Sequence, residues 1–159
     1  MRDSSVKRNR QELIERLSLA IRASQNISDA FDERVAERLG INLTDLRCLD
    51  ILSQRGSMTA GQLAEAMHLT SGAITTLVDR LEAAGYARRV RGSEDRRRVV
   101  VELTARAAET ASLYEPLFNG SVELLKERTD EELLLMIDFL ERGREMVEKE
   151  LEKLERGEA

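Results

Sequence analysis

Thr59-Ala60-Gly61-Gln62-Leu63-Ala64-Glu65-Ala66-Met67, then His68-Leu69, then Thr70-Ser71-Gly72-Ala73-Ile74-Thr75-Thr76-Leu77-Val78-Asp79-Arg80-Leu81-Glu82: the reading of this run decides the fold. A threonine followed three residues later by glutamine can satisfy free backbone donors reciprocally, so a first helix starts at Thr59. A second helix starts at Thr70 or Ser71, whose hydroxyls suit an N-cap. Within it Ile74, Leu77, Val78 and Leu81 recur at helical spacing and make one buried stripe. At about 100° per residue, Gly72, Thr76, Asp79 and Arg80 fall on the opposite face, with Ala73 and Thr75 at its margins. That face is small and polar, and it can enter a groove.

The residues that follow extend the pattern. Gly85 stops the second helix as a C′ residue. Tyr86 to Arg91 reads as a short strand, Gly92-Ser93-Glu94-Asp95 as a turn, and Arg98 to Leu103 as a second strand rich in β-branched residues. Helix, tight turn, helix and hairpin in this order outline a winged helix-turn-helix. Residues 86 to 98 hold six arginines (Arg88, Arg89, Arg91, Arg96, Arg97 and Arg98) against Glu94 and Asp95, a net of +4. Residues 1 to 85 come to −1 and residues 99 to 159 to −8, so a chain of net charge −5 concentrates its positive charge on the hairpin. Arginines that displace condensed counterions supply most of the sequence-independent affinity for duplex DNA, and the local field, not the overall pI near 5.2, steers encounter. Arg88, Arg89 and Arg91 alternate in direction along the strand, so some face outward and others pair with acids of the body. Asp95 is expected to hold a wing arginine by a charge-assisted hydrogen bond. Tyr86 reads as core filler. Arg80, close to the helix end, can meet a phosphate or pair with Asp79 or Glu82.

On either side the chain is helical. Leu13, Leu17, Ala20, Ser24, Ile27 and Phe31 step by four and three, continued by Val35 and Leu39 before Gly40 ends the face. A further helix is predicted from Thr44 to Leu52, capped by Thr44. Thr129 and Glu132 form a second capping box, followed by Leu133, Ile137, Leu140, Val147, Leu151 and Leu154 at similar steps. Such amphipathic helices need something to bury against, either each other or a second chain. The predicted class is mainly α with a small β-hairpin wing. One domain spans residues 1–159: a lobe over 43–103, with its second helix at 70–84 and wing at 86–103, and helical regions over 11–39 and 104–156 that form a dimerisation region. The composition agrees, with 42% hydrophobic and 35% charged residues, 3% aromatic and a single proline.

Catalysis finds little to work with. There is one histidine, His68, and one cysteine, Cys48, with no glycine-rich phosphate loop and no metal-ligand spacing, so no cofactor, metal or catalytic residue is predicted. His68 belongs to the turn. Cys48 lies among Leu46, Leu49 and Ile51, and a buried thiol without a stabilised thiolate is inert. No apolar run approaches the roughly 20 residues that span a bilayer, and Met1 to Arg10 lacks a signal-peptide core, so the expected location is the cytoplasm, with no membrane partner.

Leu63-Ala64-Glu65, Leu77-Val78-Asp79-Arg80-Leu81-Glu82, Gly85-Tyr86, Ser93-Glu94-Asp95-Arg96-Arg97 and Leu103-Thr104 together resemble the MarR family of bacterial transcriptional regulators. The diagnostic parts are the Val-Asp-Arg-Leu-Glu end of the second helix and the Asp-Arg-Arg wing tip leading to a Val-rich strand. Ala107 stands where that family often has glycine after Leu-Thr. The resemblance implies a homodimer interlaced through its terminal helices, acting as a repressor on double-stranded DNA at a pseudo-palindromic operator. Under it Thr70, Ser71, Gly72, Ala73, Thr75, Thr76 and Arg80 meet the major groove. Apart from Arg80 the second helix offers hydroxyls and methyls, with no asparagine or glutamine, so direct base readout is modest; Arg91, Arg96, Arg97 and Arg98 lie near the minor groove, which favours A·T-rich flanks. It also implies a small-molecule effector between the dimer helices and the lobe, for which Phe31, Arg47 and Tyr114 are the candidate lining residues. Two alternatives stay open: a winged helix that binds a protein through the same face, and a redox-sensing regulator working through Cys48.

Overall fold

The computed structural model describes residues 2–91 and 98–158. They form two compact units, Met1–Leu113 and Tyr114–Ala159.

The first unit opens with α1 (Arg2–Leu39), closed at Gly40, and α2 (Leu43–Arg55). The cap of α2 differs from the expectation. Asn42, not Thr44, is the N-cap: its side chain accepts from the Asp45 N–H at 2.9 Å, and the Asp45 carboxylate accepts from the Asn42 N–H at 3.5 Å. An Asn-x-x-Asp pair satisfies the same two orphan donors as a Thr-x-x-Gln pair, and the helix extends beyond the predicted span at both ends. Next come β1 (Met58–Thr59), α3 (Ala60–Met67) and α4 (Ser71–Ala83). The wing is β2 (Ala87–Arg91) and β3 (Val99–Leu103), antiparallel, with Arg89 opposite Val101 and Arg88 opposite Glu102. Arg98 precedes the second strand instead of starting it. β1, which periodicity does not reveal, pairs with β3 through Met58 and Val101, so the hairpin is two strands of a three-stranded sheet ordered β1-β3-β2. A two-residue strand carries no readable alternation.

The core of this unit lies where α2, α3 and α4 meet the sheet: Leu49, Leu52, Leu63, Ile74, Leu77, Val78, Leu81, Tyr86 and Val101 are all nearly inaccessible. Each such aliphatic side chain contributes about 1.5–3 kcal/mol on burial. This outweighs the propensity cost of Gly72, Thr75 and Thr76 in α4, at most about 1 kcal/mol each, so packing holds that helix and not its intrinsic preference. Tyr86 fills the core as predicted, and its hydroxyl donates to the Leu39 carbonyl at 3.2 Å, fastening the start of the wing to the end of α1. A short 3-10 turn (Ala105–Ala107) leads into α5 (Ala108–Leu125). Ala107 is buried there, so alanine enters the helix without disturbance.

The second unit contains the rest of α5 and α6 (Asp130–Glu155). The Thr129–Glu132 capping box forms as expected, with reciprocal bonds of 3.2 and 3.0 Å. Neither α5 nor α6 buries a residue, and Phe118, Leu124, Leu135 and Leu140 lie open. Among the described residues no helix is long and apolar enough to cross a membrane.

Candidate nucleic-acid interface

The site is built on α4, which is set by its two ends. At its start the Thr70 hydroxyl accepts from the Ala73 N–H at 3.3 Å. The turn from α3 is made by His68, which takes the left-handed conformation (φ +54°). Its N–H donates to Glu65 O, and that of Leu69 to Ala64 O. Histidine tolerates this region better than β-branched residues do, and Leu69 packs on the core, so the reversal is fixed without glycine. At the other end Gly85, at φ +79°, donates to Glu82 O while Tyr86 donates to Leu81 O. This Schellman motif needs a residue without a Cβ penalty at C′. The Arg106 guanidinium closes the same end, donating to Ala84 O at 2.6 Å while lying 4.6 Å over the Tyr86 ring.

Between these ends the face opposite the buried stripe is open: Ser71, Gly72, Ala73, Thr75, Thr76, Asp79 and Arg80 are all exposed. Gly72 is informative. A Cβ built there meets no described atom within 4 Å, and its backbone is not left-handed, so none of the described residues demands glycine in this first turn of the helix. The Thr75 and Thr76 hydroxyls donate back to Ser71 O and Gly72 O at 2.9 and 3.1 Å.

Two arginine latches hold this helix: Arg89 pairs with acids of the body, as expected of some strand arginines, while Arg80 takes a partner other than the two expected. Arg80 pairs neither with Asp79 nor with Glu82; its Nε and Nη2 donate to the Asp45 carboxylate at 3.2 and 2.6 Å, joining α4 to the first turn of α2. Asp45 is buried, and hydrogen bonding to it raises the Arg80 pKa, so the guanidinium stays charged. Asp79 and Glu82 instead take Arg89 of β2. Its Nη1 donates to Asp79 at 2.7 Å and also to Glu82, whose other oxygen accepts from the Arg89 N–H at 2.7 Å. Hydrogen bonding to Asp79 is the largest cause of the raised Arg89 pKa. The open face of α4 therefore keeps an acid, Asp79, with its charge offset by the wing. Local helix spacing favours i,i+3 pairs, whereas the contacts that form join residues 35 and 10 positions apart.

The wing arginines divide accordingly. Arg88 pairs with Glu102, its cross-strand partner, at 2.6 Å, and Arg89 is latched as above. Arg91 at the end of β2 and Arg98 just before β3 are exposed and form no ion pair with any described residue. Asp95, Arg96 and Arg97 lie outside the described residues. Phe31 on α1 and Tyr114 on α5 are half-buried, and Arg47 on α2 is exposed. Cys48 is fully buried, and burial, with the Asp45 charge adding to it, pushes the thiol up to about 12. A protonated, inaccessible thiol is a poor nucleophile, which speaks against the redox alternative.

Residues 41–99 match the family model described as MarR family. Over 151 residues, 94% of this chain and 98% of the other, the chain is 40% identical to the uncharacterized HTH-type transcriptional regulator YcgE of Bacillus subtilis (strain 168). The chain belongs to the MarR family. The fold agrees: a MarR family protein from Bacillus stearothermophilus superposes with a TM-score of 0.64 at 21% identity, over 86% of this chain and 96% of that one. A point mutant of S. aureus MepR, bound to an oligodeoxyribonucleotide, does so with 0.55 at 20% identity, over 82% and 97%. The family-matched segment includes α2, α3, α4 and both latches, so the interface described here lies within the part of the chain that defines a MarR regulator. This MarR chain is an HTH-type transcriptional regulator and not an enzyme.

Proposed function

We propose that the protein is a homodimeric, sequence-specific DNA-binding repressor. Residues 70 to 80 enter the major groove, and Arg91, Arg96, Arg97 and Arg98 of the wing lie near the adjacent minor groove. The observation that carries this reading is the exposed face of α4. It is small and polar, it is held between α2 and the wing by Arg80 and Arg89, and at Gly72 it leaves a space that no described residue fills. Insertion into a groove uses that space. A winged helix serving as a protein-docking module would present large apolar groups there, and α4 exposes none.

Dimerisation rests on a different observation. Faces as apolar as those of α5 and α6, with Phe118 and Leu135 each 69% exposed, are larger than isolated surface hydrophobics and call for a partner. A two-fold axis would place two recognition helices about one turn, roughly 10 bp, apart, hence a pseudo-palindromic operator. An effector that releases DNA would favour the non-binding spacing of the two helices, with an effect bounded by its differential affinity. Phe31, Arg47 and Tyr114 are the positions proposed for it.

Thr76→Glu tests the assigned face. It adds a carboxylate where phosphates and base edges would lie, so operator binding in a gel-shift assay is lost while the elution volume on size exclusion is unchanged. Normal operator affinity in this variant would reject the face.

A further inference from the structure

We infer that the base-reading part of this interface is a methyl surface, selecting duplex through the C5-methyl groups of thymine in the major groove. This rests on the DNA-binding reading above and concerns what that surface can distinguish. Donors on α4 are scarce. The helix contains no asparagine, glutamine or lysine. Both threonine hydroxyls on its open face already donate to the carbonyls one turn back, at 2.9 and 3.1 Å. Each oxygen can then only accept, and the γ-methyl is the group left to meet a partner. Arg80, the sole guanidinium of the helix, commits its Nε–Nη2 edge to buried Asp45, and Asp79, an acceptor, is occupied by Arg89. Ala73 adds another methyl, and Gly72 beside it lets the helix backbone approach closely.

A groove meeting this surface finds methyl groups, with the Ser71 hydroxyl and the Arg80 Nη1 as the side-chain donors of α4 that are left over. In the major groove only thymine offers a methyl of its own, and apolar contact with it is the readout that alanine and threonine methyls provide. Each methyl-sized contact is worth about 0.8 kcal/mol, or about four-fold in affinity, so one per half-site on a two-fold complex gives about fifteen-fold.

The experiment uses the full chain and a duplex selected from a randomised pool by repeated capture. That duplex is prepared once with thymine and once with deoxyuridine at every thymine position. Uracil keeps the Watson–Crick pairing and the minor-groove edge, so the comparison isolates the methyl. The uracil form is expected to bind about ten-fold or more weakly. In Thr76→Ser, which keeps the hydroxyl and removes the methyl from both half-sites, the thymine-to-uracil ratio is expected to fall about fifteen-fold. Equal affinity for the two forms, or a ratio unmoved by both Thr75→Ser and Thr76→Ser, overturns the inference and leaves the DNA-binding reading standing. Failure to bind either form at low salt overturns both.

Discussion

Gly72 shows how a single residue separates stability from function in this molecule. With open space at its Cβ and an ordinary helical backbone, Gly72→Ala should raise the unfolding free energy by at most about 0.5 kcal/mol, since glycine is penalised in helices but less in the first turn than in the interior. The same methyl would stand in the plane where a groove wall approaches, so operator affinity should fall. Urea denaturation and duplex titration on one preparation read the two effects. A variant that is stabilised and binds normally would show that the face is not used. Asp45 poses the converse case. It caps α2 and latches α4 at once, and its burial means that its removal leaves both the Asn42 amide and the Arg80 guanidinium short of an acceptor. Because Arg80 is half exposed, water replaces part of what it loses, and Asp45→Ala should cost about 2 kcal/mol, below the value for a fully buried pair. An unchanged urea midpoint would contradict the latch. This pairing was not legible from the sequence. A carboxylate in a first helical turn reads as a cap residue, and nothing local indicates that an arginine 35 positions later will reach it.

At the scale of elements, what was legible followed from short-range physics. The capping boxes at Thr59 and Thr129, the buried stripe of α4 and the Gly85 stop depend on residues within one or two turns, and they form as predicted. Thr44 has a hydroxyl that suits a cap, but Asn42 lies two residues earlier with an acid at N3 and wins by closing both halves of the box. β1 escapes local reading because its stability comes from β3, distant in sequence, and not from its own two residues. The wing was legible as a hairpin, though its charge was less so. Counting six arginines overstates what is free, since Arg88 and Arg89 at its base are neutralised by Glu102, Asp79 and Glu82. Replacing both Arg91 and Arg98 with alanine should weaken duplex binding and flatten the dependence of log K on log salt by about 0.9 for each phosphate no longer neutralised. If binding and slope are both unchanged, these two residues take no part in docking.

Across the whole molecule, the two units answer different needs. The first carries a closed core and a polar, latched surface; the second exposes apolar helix faces that a monomer would leave in water. The amphipathic stepping of these helices was plain in the sequence, while the identity of what covers them was not, because a repeat of apolar residues specifies a seam and not the chain on its far side. A second copy is the simplest solution, since it also pairs the recognition helices. The most direct measurement is sedimentation velocity of the purified protein with a fluorescent selected duplex at low ionic strength. The expected result is a single complex of two chains per duplex that dissociates as salt is raised. Failure to associate with any duplex, or a complex containing one chain alone, would contradict a dimeric DNA-binding regulator.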